Sequence, residues 1–197
     1  TSNIGIAHTR WATHGKPSKE NAHPHISENN IAVVHNGIIE NHAEIKNKFF
    51  KNTTLSLDTD SEILAHLINS YSKENKFLDA VYYALKEVKG SYAIAVLDKK
   101  NPNKIIVARN GSPLLIGLGE NVNYIASDAH ALIEHTKRFI YLEDGDTKKG
   151  KIIVENKANP DKHETKSFET KEIFAYSDYL VDSMTQHIDR ERQKKAS

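Results

Sequence analysis

The segment HTRWATHGKPSKENAHPH, residues 8–25, places four His, one Arg, one Trp and two Pro within eighteen positions. Arg10 carries a planar fork that matches a carboxylate through two parallel hydrogen bonds, and the Thr13 hydroxyl with nearby backbone N–H groups can complete such a grip. A surface Arg paired with an Asp would leave the same trace. At HNG, residues 35–37, the Asn36 amide and the Gly37 N–H are two neutral donors that can converge on one oxygen, as an oxyanion hole requires. Asn-Gly is equally the commonest hairpin turn signal. Asp60, in DTDSE, stands where a helix should begin, so it reads first as an N-cap and second as a partner for a ligand ammonium. The histidines raise zinc: His23 and His25 project from one side of an extended segment, with His8, His14 and His35 close in sequence. No HExxH, no carboxylate at ligand spacing and no cysteine accompanies them, so no metal is assigned and they read as hydrogen-bonded structural residues.

Positioning these groups falls to a mixed set of elements. NIGIAHTR alternates apolar and polar as a half-buried strand does. IAVVHNG is a β-branched run that Asn-Gly stops in a tight turn. Asn41 with Glu44 has the form of a capping box opening a helix that buries Ile45 and Phe49. Ile63, Leu64, Leu67, Ile68 and Tyr71 predict a second helix from Asp60 or Ser61, and Phe77, Val81, Ala84, Leu85 and Val88 a third. After Gly90, SYAIAVLD, KIIVARN, PLLIGLG and NYIAS read as strands, followed by a short helix from Asp128 and the strands RFIYLE and KIIVEN. Helices grouped between early and late strands, without a βαβ rhythm, indicate an α+β layered domain with antiparallel sheets.

The chain has 197 residues, enough for one sizeable core. Lys and Arg number 27 against 26 Asp and Glu, a net charge of +1. Such a balance lacks the electrostatic footprint of a nucleic-acid or membrane binder and favours a small molecule or a protein as partner. No apolar run reaches the roughly 18 residues of a bilayer span and no signal-peptide pattern opens the chain, so a cytoplasmic location is expected. There is no cysteine, which excludes disulfides, thiolate metal sites and a cysteine nucleophile from within these residues. From about Glu155 the composition turns charged. The expected division is therefore residues 1–154 as the domain and 155–197 as an extension, with a helix over 177–193 and a solvated end.

Taken together, GIAHTRWATHGKPSKENAHPH, IAVVHNGIIENH and DTDSEILAHL resemble the glutaminase domain of the glucosamine-6-phosphate synthases, the isomerizing glutamine:fructose-6-phosphate amidotransferases. KGSYAIAVLD, IIVARNGSPLLIGLG, YIASDAHAL and FIYLEDGD extend the likeness over residues 4–146. The amidotransferases of purine and asparagine synthesis share the fold and the Asn-Gly pair, but the wording RWATHG and NAHPH is that of the sugar enzymes.

The resemblance implies an N-terminal-nucleophile hydrolase, a four-layer α/β/β/α sandwich, without cofactor. An N-terminal cysteine attacks the glutamine side-chain amide, its own α-amino group serving as base, and ammonia passes to a sugar-isomerase module that binds fructose-6-phosphate. Carried over by motif, Arg10, Thr13 and His14 hold the glutamine α-carboxylate, the Gly37 carbonyl and Asp60 hold the α-ammonium, Asn36 and the Gly37 N–H form the oxyanion hole, and Trp11 shields the released ammonia. The family is typically homo-oligomeric. TSNIGIAHTR corresponds to an internal stretch of that pattern, so Thr1 reads as a boundary rather than a nucleophile, the opening strands with their cysteine are expected upstream of it, and these residues alone are expected to bind glutamine weakly or not at all and to hydrolyse none. The competing expectation is a nucleophile-free relative that senses glutamine or binds a protein.

Overall fold

The computed structural model describes residues 4–9, 18, 21–51, 59–120, 122–144 and 153–155. Arg10, Trp11, Thr13 and His14 lie outside the described residues, as do nearly all of the segment 155–197 and its expected helix. The chain forms two compact units, one of residues 1–112 and 143–156, the other of residues 113–142 and 157–197.

In the first unit five strands form an antiparallel sheet: β1 (His25–Ser27), β2 (Ile31–Ile39), β3 (Gly90–Asp98), β4 (Lys104–Asn110) and β8 (Ile153–Glu155), in the order β1-β2-β3-β4-β8. Three helices intervene between β2 and β3: α1 (His42–Phe49), α2 (Asp60–Ser72) and α3 (Phe77–Glu87). The predicted apolar faces are the ones buried. Ile45 of α1, Ile63, Leu64, Leu67 and Ile68 of α2, and Phe77, Val81, Ala84 and Leu85 of α3 join Ile31, Val33 and Ile39 of β2, Ile94 and Val96 of β3 and Ile106 of β4 in one cluster. Strand alternation explains which sheet residues join it, since odd-numbered residues of β2 share one face. Phe49, Tyr71 and Val88 pack at its margin.

In the second unit β5 (Leu115–Leu118) lies between β6 (Asn123–Ala126) and β7 (Phe139–Tyr141), all antiparallel. The predicted helix from Asp128 is a single 3-10 turn, Ala129–Ala131, whose N-cap Asp128 accepts from the His130 N–H. Leu115, Ala129, Leu132 and Phe139 form the core of this unit.

Three local expectations are corrected. Residues 4–9 alternate between half-buried and exposed as predicted but do not form a strand. Asn-Gly does not end β2: the strand continues to Ile39, with Asn36 opposite Ala93 and Gly37 opposite Tyr92. Sheet pairing overrides the turn signal because Gly37 accommodates a φ of +129° within the ladder. Asn41 precedes α1 but makes no side-chain cap bond. Its amide instead donates to the Glu87 carbonyl (2.8 Å) and accepts from the Lys89 N–H (2.8 Å), joining the start of α1 to the end of α3. No helix among the described residues is long and apolar enough to cross a membrane.

Candidate functional site

The candidate residues that the structure describes gather around the second half of β2. Strand alternation turns Asn36 to the face opposite the helices. There its side-chain oxygen lies 2.7 Å from His8 Nε2, a contact between residues twenty-eight positions apart. His8 in turn sets its Nδ1 3.1 Å from Nδ1 of His23. The His23 ring packs edge-on against both His8 and His25, with centroids 4.3 and 4.7 Å apart. His25 is buried at the start of β1 and places Nε2 3.2 Å from the Thr59 hydroxyl. The histidines of NAHPH thus contact one another, His8 and Thr59. Among the described residues no three His, Asp or Glu side chains gather as a metal ion would require.

Gly37 follows Asn36 and is exposed. Its backbone is so close to β3 that a Cβ would fall on the Ser91 carbonyl oxygen and within 3.0 Å of the Tyr92 Cα. Any side chain here would have to push the two strands apart. Glycine at this point is therefore required by contact as well as by φ.

Asp60 is the first residue of α2, and it is not the N-cap. Thr59 is: its hydroxyl accepts from the Glu62 N–H at 3.3 Å. Thr59 with Glu62 three residues on is the capping-box spelling, which TDSE carries one position before Asp60. Relieved of capping, Asp60 accepts the Ile39 N–H on Oδ2 at 2.9 Å. Next to it, Ser61 Oγ lies 2.8 Å from His35 Nδ1. These two contacts pin the N-terminal turn of α2 to β2 at residues 35 and 39, on either side of Asn36 and Gly37. A helix N-terminus carries partial positive charge, which suits a carboxylate in its first turn.

His35 is buried, and burial pushes its pKa below the ordinary imidazole value, against the opposing pull of Asp60 and of the Ser91 backbone. It stays neutral near pH 7 and acts as a hydrogen-bonding strut between β2 and α2. Spacing alone does not reveal either link of Asn36 to His8 or of His35 to Ser61, because each joins residues far apart in sequence.

Chemically, this stretch offers an amide whose oxygen meets His8, an exposed glycine backbone, and the Asp60 carboxylate of α2 bound to the Ile39 N–H. A family profile described as "Glutamine amidotransferase domain" matches residues 8–134. The glutamine–fructose-6-phosphate aminotransferase (isomerizing) of Buchnera aphidicola subsp. Acyrthosiphon pisum (strain APS) is 53% identical over 146 residues, which cover 73% of this chain and 24% of that protein. The chain thus spans about a quarter of the length of that curated relative. Among solved structures, the allosteric regulatory enzyme of purine biosynthesis aligns at 30% identity with a TM-score of 0.59, over 70% of this chain and 31% of its own. The glutamine phosphoribosylpyrophosphate amidotransferase from B. subtilis aligns at 24% identity with a TM-score of 0.54, over 77% and 34%, a likeness of fold. The α+β arrangement of antiparallel sheets and grouped helices is that of the N-terminal-nucleophile amidotransferases. With a family profile spanning most of its length, the chain belongs to the glutamine amidotransferase family.

Proposed function

We propose that this chain supplies ammonia from glutamine within an isomerizing glutamine–fructose-6-phosphate aminotransferase, the activity named for the relative with 53% identity. The observation that carries the reading at residue level is the pinning of α2 to β2 on both sides of the Asn36–Gly37 pair. That arrangement ties the Asp60 carboxylate to β2 three residues beyond Asn36.

In this reading Asn36 and the Gly37 N–H receive the oxygen of the tetrahedral intermediate, and Asp60 with the Gly37 carbonyl holds the α-ammonium. Arg10, Thr13 and His14 take the α-carboxylate, and Trp11 shields ammonia from water. A zwitterion requires an anion grip and a cation grip at fixed separation, and leaving either unpaired discriminates strongly against analogues. The chain has no cysteine, so the thiol nucleophile is supplied from outside these 197 residues, and the sugar-isomerase modules are further parts of the same protein. Residues 1–154 serve as the glutaminase portion and 155–197 as an extension from it.

The deciding experiment follows the amide nitrogen. The full-length protein that carries this chain is given glutamine labelled with nitrogen-15 at the amide, together with fructose-6-phosphate. Label is expected in the amino group of the sugar product. Unlabelled sugar, with glutamine hydrolysed, would leave an amidotransferase with another acceptor. No hydrolysis at all would overturn the reading.

A further inference from the structure

We propose that His8 is a positioning residue for the oxyanion donor: its ring fixes which end of the Asn36 amide faces the reacting carbonyl. The inference rests on the oxyanion role given to Asn36 above and concerns a residue to which that reading assigns nothing.

The physical problem is the symmetry of an amide. Its two ends have nearly the same shape, one accepting and the other donating two hydrogen bonds, and a half-turn exchanges them. An Asn that offers its NH2 stabilises a developing oxyanion, whereas the same Asn turned over offers its own oxygen and repels it. Something must select between the two. His8 Nε2 lies 2.7 Å from Asn36 Oδ1, and a protonated Nε2 is compatible only with the oxygen on that side.

The protonation of His8 is constrained at its other nitrogen. His8 Nδ1 and His23 Nδ1 are 3.1 Å apart, a contact that holds one proton and not two. With His23 Nδ1–H donating to His8 Nδ1, a neutral His8 must carry its remaining proton on Nε2, and it donates to Asn36. A cationic His8 also donates from Nε2, with His23 Nδ1 then accepting. Both arrangements aim the Asn36 NH2 away from His8. The third, with the single His8 proton on Nδ1, would invert the amide. The edge-on packing of His23 between the His8 and His25 rings holds its ring in the plane that this contact needs. His8 reaches Asn36 from a segment outside the sheet, so the strand alone does not impose the orientation.

The test is glutamine hydrolysis by the full-length protein that carries this chain, with kcat and KM separated. His8→Leu is expected to lower kcat by about tenfold or more with glutamine KM changed less than about twofold, since the lost effect acts in the transition state. His8→Lys, whose ammonium can donate but cannot accept, is expected to recover most of the parent rate, within about threefold. Asn36→Ala is expected to lose about 10²- to 10³-fold. The double variant His8→Leu/Asn36→Ala should be no slower than Asn36→Ala alone, because no amide remains to be oriented. Additive losses, or a change confined to KM, would overturn the proposal. Should His8→Leu fail to fold, His8→Lys against His8→Glu decides: Glu accepts where Lys donates, and equal rates for the two would overturn it. An Asn36→Ala protein within about threefold of the parent would remove the oxyanion reading itself, a failure distinguishable from loss of His8 coupling alone.

Discussion

The α-carbon of Gly37 lies against the carbonyl of Ser91, so closely that a Cβ on Gly37 would overlap that oxygen. The arrangement is reciprocal across the ladder, since Gly90 also has a positive φ, +114°, and a Cβ on it would overlap the carbonyl of Ile38. Two glycines therefore allow β2 and β3 to approach at the end of the sheet that bears the candidate site. Gly37→Ala adds both a steric overlap and an unfavourable φ, and is expected to destabilise the fold by about 2 kcal/mol or more. The urea midpoint measures this, and an unchanged midpoint would show that the strands can part at no cost.

Asp60 invites a substitution that separates its two roles. Asp60→Asn retains an oxygen to accept the Ile39 N–H and removes the charge that an ammonium would meet. A charge-assisted hydrogen bond contributes about 1.5–3 kcal/mol, so the glutamine KM of the full-length protein should rise about tenfold to a hundredfold, with kcat much less affected. A fall in kcat at constant KM would instead assign Asp60 to structure near the reacting centre.

Asn41 is expected to act on stability alone. Its side chain is buried and satisfies both the Glu87 carbonyl and the Lys89 N–H. Asn41→Ala leaves two backbone groups without those partners, with an expected loss on the order of 2 kcal/mol. Asn41→Asp keeps the acceptor for Lys89 but sets a buried carboxylate oxygen against the Glu87 carbonyl, so its urea midpoint at pH 7 should also lie below that of the parent. Midpoints of both variants equal to that of the parent would contradict these roles.

The sequence was most readable where periodicity is long. The apolar rows of α2 and α3 and the β-branched runs of β3 and β4 predicted which residues enter the core, because burial of one face is a property of the element itself. It misled where local and distant chemistry compete. Asn36–Gly37 has the spelling of a hairpin turn and lies inside a strand, since pairing with β3 along its length outweighs a two-residue preference. Asn41 with Glu44 has the spelling of a capping box, but the Asn side chain bonds residues more than forty positions away. The same limit applied to the site: Asn36, Gly37 and Asp60 were recognisable by type, whereas His8 and Ser61, which orient and anchor them, became evident only through contacts across the fold.

Burial of His35 couples the first turn of α2 to pH. Its pKa is depressed in the folded chain, chiefly by burial and slightly by the charge of His8, while Asp60 and the Ser91 backbone oppose the shift. In the unfolded chain an imidazole titrates near its ordinary value of about 6.5. Between that value and the lower folded one the unfolded state binds more protons, so stability must fall as pH drops below about 6.5 and stop falling once the folded-state value is passed. His66 is also depressed by burial and contributes in the same direction, so the wild-type slope alone does not isolate His35. His35→Gln keeps a hydrogen-bonding side chain at the position and removes its titration. Urea midpoints taken at several values between pH 7.5 and pH 5 should decline less steeply for His35→Gln than for the parent, and less steeply again when His66→Gln is added. Parallel declines for the parent and His35→Gln would show that His35 gains its proton as easily folded as unfolded, and that its contact with Ser61 tolerates the charge.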